Sequence, residues 1–189
     1  MITFSVAAQD MALTGAVGLL NAKVRVQYEH LIGDNSSAGA NLNYYFVNWT
    51  GPKLEGFYRW YFGRDGNEEG LFMQAKGGMG ILSNLYYSTD YYIPGSTSYI
   101  YDNKYWNTFG GGIAFGGKVV TRAGFVFESH IGYHIWTPPV YNFSNEYTNY
   151  QNSSYYNAAQ DAAALGEAIG WYLTTGMPLD FQMKFGWQF

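Results

Sequence analysis

The chain closes on FQMKFGWQF, where Phe181, Met183, Phe185, Trp187 and Phe189 share one parity and Gln182, Lys184, Gly186 and Gln188 share the other. Side chains of a strand alternate between its two faces, so this stretch reads as a strand with one apolar and one polar face. The same period returns along the chain. FVFESHIGYHIW sets Phe125, Phe127, Ile131, Tyr133 and Ile135 against Glu128, His130, Gly132 and His134. KVRVQYE sets Val24, Val26 and Tyr28 against Lys23, Arg25, Gln27 and Glu29. No apolar run approaches the roughly 20 residues a membrane helix needs, so any crossing of a bilayer must use strands.

Counting by this period predicts eight strands, at 11–20, 23–31, 38–49, 53–63, 70–82, 105–119, 122–136 and 177–189. Their connections differ in kind. GDNSSA, GRDGNEEG and GKVVT have the composition of short turns. The segments 83–104 and 137–176 are far longer than ordinary loops, and both fall on the same end of an up-and-down meander. The second contains NAAQDAAALGEAIGWYL, whose alanines and the spacing of Leu165, Ile169 and Tyr172 predict a short helix.

Two eight-stranded barrels fit this order, and they differ in which face looks inward. In a soluble carrier of lipocalin type the apolar parity lines a cavity. In an outer-membrane barrel it faces lipid, and the polar parity fills the lumen. The polar parity here is rich in small residues, with Gly78, Gly80, Gly110, Gly112, Ala114 and Gly116 beside long charged ones. A narrow lumen packed with side chains requires that mixture. Aromatics gather toward strand ends on the apolar parity, as in the girdles of membrane barrels. The expected fold is therefore all-β: an eight-stranded antiparallel up-and-down transmembrane β-barrel with short periplasmic turns and two long extracellular loops.

Composition narrows the function. Charged residues are 13% of the chain and the net charge is −4, which argues against a nucleic-acid partner. The chain has no cysteine, so disulfides and thiolate metal sites are excluded. Residues 1–10 read as a signal-peptide remnant or flexible N-terminus, since Val6-Ala7-Ala8-Gln9 places small residues where signal peptidase cuts. Residues 11–189 read as a single β-barrel domain.

The final strand, with Phe185, Trp187 and a C-terminal Phe189, resembles the signal by which the barrel-assembly machinery recognises outer-membrane proteins. By pattern over 11–189, the chain resembles the small eight-stranded outer-membrane barrels of Gram-negative bacteria, the OmpA/OmpX-like group. NAKVRVQYEHLI, KLEGFYRWYF and MPLDFQMKFGWQF look most like its uncharacterised Bacteroidota branch. The resemblance implies the outer membrane as location and the assembly machinery, outer-membrane lipid and lipopolysaccharide as partners. It also allows a place in a larger outer-membrane complex.

With the polar parity inside, the lumen holds Lys23, Arg25, Glu29, Lys53, Glu55, Arg59, Lys76, Glu128, Asp180 and Lys184, with Arg59, Lys76, Glu128 and Lys184 near mid-height. Charges withdrawn from water must be paired, so an ion-pair network spanning the barrel is expected, centred on Arg25, Glu29, Glu55, Arg59, Lys76, Glu128, Asp180 and Lys184. Such a network plugs the barrel rather than opening it.

Catalysis, cofactors and metals are not expected. His130 and His134 share a face but are about 13 Å apart along a strand, too far to hold one metal ion. Ser129 points away from His130, so the pair forms no dyad. Asp65, Asn67 and Glu69 are explained by an Asp-Gly turn without calcium. A lipid-A-modifying barrel enzyme is the alternative function, and the soluble carrier is the alternative class. The long loops hold twelve of nineteen tyrosines, among them Tyr91, Tyr92, Tyr99, Tyr101, Tyr147, Tyr150, Tyr155 and Tyr156. Tyrosine mixed with Ser, Asn and Gly suits either a binding surface or contact with lipopolysaccharide.

Overall fold

The structure, a computed structural model, describes residues 10–14, 23–47, 49–62, 69–84, 105–138, 169–173 and 176–188. Within them the period-two alternation becomes geometry. Along Trp49–Phe62 burial switches at nearly every residue, with Lys53, Glu55, Phe57, Arg59 and Tyr61 buried and Leu54, Tyr58, Trp60 and Phe62 exposed.

Seven strands run antiparallel and up-and-down: β2 (Lys23–Gly33), β3 (Ser36–Val47), β4 (Trp49–Phe62), β5 (Gly70–Asn84), β6 (Tyr105–Val120), β7 (Phe125–Trp136) and β8 (Leu179–Gln188). Each pairs with its sequence neighbours, and the sheet curls until side chains of distant strands meet. A short strand, β1 (Asp10–Thr14), pairs with β2 on one side and β8 on the other, so the pairing order returns on itself. The remainder of the expected first strand lies outside the described residues.

Three boundaries differ from the sequence expectation. The turn expected at GDNSSA shrinks to Asp34 and Asn35, and Ser36 to Ala38 pair in β3. GKVVT is not a turn: β6 continues through Val120, and the reversal falls at Thr121 to Gly124. There Gly124 takes φ +84° and donates its N–H to Thr121 O at 2.9 Å, while Phe125 N–H donates to Thr121 Oγ1. A residue without a Cβ is suited to that positive φ.

Residues 50–52, left between the expected strands 38–49 and 53–63, are absorbed into β4, which begins at Trp49. Proline has no N–H to give a ladder. The β4–β5 pairing accordingly skips Gly51 and Pro52, and Gly51 takes φ +145° close to Ile81 O, where a Cβ would collide. The predicted short helix is found in part, as helical residues 169–173.

The two faces are chemically opposite. Val24, Leu42, Leu54, Met73, Ile113 and Ile131 lie on the exposed convex side, one from each of six strands. The concave side buries Arg25, Glu29, Asn41, Lys53, Gln74, Lys118, Glu128, Asp180 and Lys184. The contrast is sharpest at neighbours: Phe127 is 36% exposed and Glu128 1%.

Glycines allow the interior to fit. A Cβ at Gly116 would strike His130 and Phe72, one at Gly39 would strike Phe57, and one at Gly110 would strike Trp136. Each marks where a large inward side chain leans across the neighbouring strand.

Candidate functional site: a charged interior beneath an aromatic cap

Among the described residues seven of the chain's ten Lys and Arg point inward: Lys23, Arg25, Lys53, Arg59, Lys76, Lys118 and Lys184. Among the described side chains four carboxylates face them, Glu29, Glu55, Glu128 and Asp180. They sort into two groups.

The first group centres on Arg59, which is fully buried. Its guanidinium bonds Glu128 through two nitrogens at 2.8 and 2.7 Å, reaching from β4 to β7. It also donates to Glu29 Oε2 at 2.7 Å and Gln74 Oε1 at 2.8 Å. Phe57 and Phe72 flank it, their ring centroids 4.6 and 4.4 Å from the guanidinium carbon. Lys184 donates to Glu128 at 2.6 Å and to Gln27 at 2.7 Å. Lys118 lies 3.4 Å from Glu29, which also accepts from Ser37 and, at 2.8 Å, from the Tyr61 hydroxyl.

The second group lies toward the long-connection end. Arg25 donates to Asn43 and Gln182 and pairs with Glu55 at 3.3 Å. Lys53 lies 3.5 Å from Glu55, and Lys76 pairs with Asp180 while standing 3.8 Å from Glu55. Gln182 donates to Asp180 at 2.7 Å. His130 joins the groups, with Nδ1 3.3 Å from Glu128 and Nε2 3.4 Å from Asp180.

All eight residues expected in the interior network are therefore buried and paired. Lys76, expected near mid-height with Arg59, Glu128 and Lys184, draws its acids from the second group. The backbone separation of His130 and His134 does not keep their rings apart, because both approach the same Asp180 oxygen, at 3.4 and 3.8 Å. Side chains leaning toward a shared acceptor shorten what backbone spacing suggests. Among the described residues no group of three or more His, Asp or Glu is arranged to hold a metal.

Sequence reasoning missed several participants. Lys118 stood in a segment read as a turn, although its parity matches Gly116 and the charged interior. Gln27, Asn41, Asn43, Gln74 and Gln182 lie on the polar parity, but neutral amides gave no charge to count. Large aromatics on the polar parity, Tyr45, Phe72 and Trp136, were the other missed signal.

Two of these, Tyr45 and Trp136, roof the second group. Tyr45, Trp49, Leu82, Trp136 and Trp171 form a buried cluster with Trp106 packed against it. Trp171 comes from the helical residues 169–173, and its ring lies 5.9 Å from Trp49 and 5.5 Å from Trp106, both edge-on. Edge-to-face packing is a favoured aromatic geometry. Gly176 fits against the Trp171 indole and donates its N–H to Trp171 O at 2.9 Å.

Of the expected assembly signal, Phe185 and Trp187 lie on the exposed face, packed around Phe125 with centroids 6.2 and 6.5 Å away. Phe189 lies outside the described residues, as do Tyr91, Tyr92, Tyr99, Tyr101, Tyr147, Tyr150, Tyr155 and Tyr156. Asp65 and Asn67 also lie outside them. Glu69 accepts a hydrogen bond from Val120 N–H at 3.0 Å, tying two turns together at one end.

Compared with known proteins, the chain matches no family model, no curated protein and no solved structure.

Proposed function

We propose that this chain is an integral outer-membrane β-barrel of Gram-negative type, non-enzymatic, with a lumen plugged by paired charges. In this reading eight strands, β1 included, form a complete transmembrane wall, and the short turns face the periplasm. The Tyr-rich segments 83–104 and 137–176 form the outer surface and serve adhesion, membrane integrity or an accessory role in a larger complex. The resemblance to the OmpA/OmpX-like group belongs to the same proposal.

The observation that carries it is the inversion of faces. A strand wall with Leu54, Met79, Ile113 and Ile131 exposed and seven cations buried is costly in water and favourable in hydrocarbon. Toward the short-turn end the exposed side is aromatic. Phe62 lies 6.3 Å from Phe115, and Phe127 lies 5.2 Å from Phe185. Such a belt suits a membrane–water interface. A soluble carrier needs the opposite arrangement, an apolar cavity behind a polar exterior.

The test is fractionation after expression in a Gram-negative host. The proposal expects the protein in outer membranes, resistant to carbonate and released only by detergent. Recovery as a monomer in the aqueous fraction would refute it. Lipid-A mass spectra identical with and without the chain are expected; an altered spectrum would establish the enzymatic alternative instead.

A further inference from the structure

Among the described side chains seven inward cations face four carboxylates, and the pairing is uneven. Near the aromatic cap, Arg25, Lys53 and Lys76 all draw on Glu55, and Lys76 also takes Asp180. Lys23 is left over. It is 6% exposed, and among the described residues no carboxylate lies within ion-pair distance of it. Its one close partner is the Tyr45 ring, 5.6 Å from ammonium to centroid. Lys53 approaches the same ring at 5.0 Å and stands 3.8 Å from the centre of Trp136.

Unpartnered polar atoms collect at this place. His134 Nδ1 faces Asp180 at 3.8 Å, but neither His134 Nε2 nor the indole N–H of Trp136 is in a hydrogen bond, although both side chains are buried. Trp136 connects the two features, since Lys53 lies on its face and His134 meets it edge-on at 6.1 Å. An unpaired buried charge and unpaired buried donors are each expensive, and one species relieves both: a small anion that accepts from several directions.

We infer that the capped end of the interior binds a small oxyanion of the phosphate or sulfate class, held between Lys23 and Lys53 with Trp136 and His134 as further donors. A tetrahedral oxyanion fits better than a halide because its several oxygens can accept separately from two ammonium groups, an indole and an imidazole. Tyr45 and Trp136 restrict its size, and Glu55, beneath, keeps Lys53 in place. The inference rests on the interior geometry and not on the membrane assignment.

Isothermal titration of the folded protein in detergent, in zwitterionic buffer, tests it with sodium phosphate, sodium sulfate and sodium chloride at matched ionic strength. Saturable binding of phosphate or sulfate is expected, with chloride weaker. Lys23→Gln should weaken it roughly tenfold or more, the scale of one lost bond to a charged group, and Lys23→Arg should restore most of it. Trp136→Phe keeps the ring under Lys53 but removes a donor, and should weaken binding several-fold; it serves if Lys23→Gln fails to fold. No saturable binding, equal binding of all three salts, or binding unchanged in both Lys23→Gln and Trp136→Phe would overturn the site.

Discussion

Arg59 on β4 and Glu128 on β7 meet through two parallel hydrogen bonds of 2.7 and 2.8 Å, with two strands of the curled wall, β5 and β6, between them. A fork-to-carboxylate bond of this kind fixes angle as well as distance. It therefore acts as a strut across the interior, and the carboxylate it uses also holds Lys184.

Removing that carboxylate should be costly. Glu128→Ala leaves Arg59 short of a partner and Lys184 without its ion pair, and breaking a buried pair from one side costs about 3–5 kcal/mol. Urea unfolding in lipid vesicles measures it. Combining Glu128→Gln with Arg59→Met should cost less than the sum of the single changes, because Arg59 and Glu128 then no longer leave each other unpaired, while Lys184 loses its ion pair with or without Arg59→Met. An unchanged midpoint for Glu128→Ala would mean that the pair does not stabilise the wall.

The convex face predicts a cost that depends on depth. Ile113 sits mid-strand in β6 and is 64% exposed, whereas Val119 lies near its short-turn end. In a bilayer Ile113→Arg should cost roughly 2–4 kcal/mol and Val119→Arg about 0–1 kcal/mol. Unfolding free energies in vesicles compare them. Equal, small costs for both would contradict lipid contact at Ile113.

Small residues on the inner face should resist enlargement. Gly116 lies where a Cβ would meet Ser129 O, the His130 Cβ and the Phe72 ring. Gly116→Val must push Phe72 off Arg59 or distort the β6–β7 ladder, at about 1–3 kcal/mol. Gly56→Ala, at an outward position with open space around it, is expected to be close to neutral. Thermal or urea midpoints of the two variants should separate accordingly.

The closing aromatics should matter for delivery more than for the finished fold. Trp187 is half exposed and packs against Phe125. If Phe185, Trp187 and Phe189 act as an assembly signal, Phe189→Ala lowers the amount reaching the outer membrane. The same variant refolded from urea into vesicles should match the parent in stability. Normal outer-membrane levels would contradict the signal.

The faces of the strands were readable from sequence because alternation is local: Arg25 between Val24 and Val26 reveals its side without knowledge of any other strand. Partner choice was not readable. Which acid Arg59 or Lys76 meets depends on the stagger of strands far apart in sequence and on how far long side chains lean. That is why the acids Lys76 meets could not be named in advance, and why His130 and His134, well separated along the strand, still share Asp180. Lys118 was hidden by Gly116-Gly117, which imitates a turn but makes room for Phe72 and His130. Trp171 was unreadable for another reason. Residues 169–173 lie outside the strands, so no strand parity marks Trp171 as the side chain that roofs the interior.

The decisive question is what the convex face touches. The chain contains no cysteine, so a single Ile131→Cys or Gln182→Cys variant carries a nitroxide at one defined position. In lipid vesicles, oxygen collisions should dominate over those of a water-soluble nickel complex at Ile131, on the wall's exterior. Gln182, inside, should be shielded from lipid-borne quenchers. Strong nickel access at Ile131, or lipid quenching at Gln182, would contradict the account.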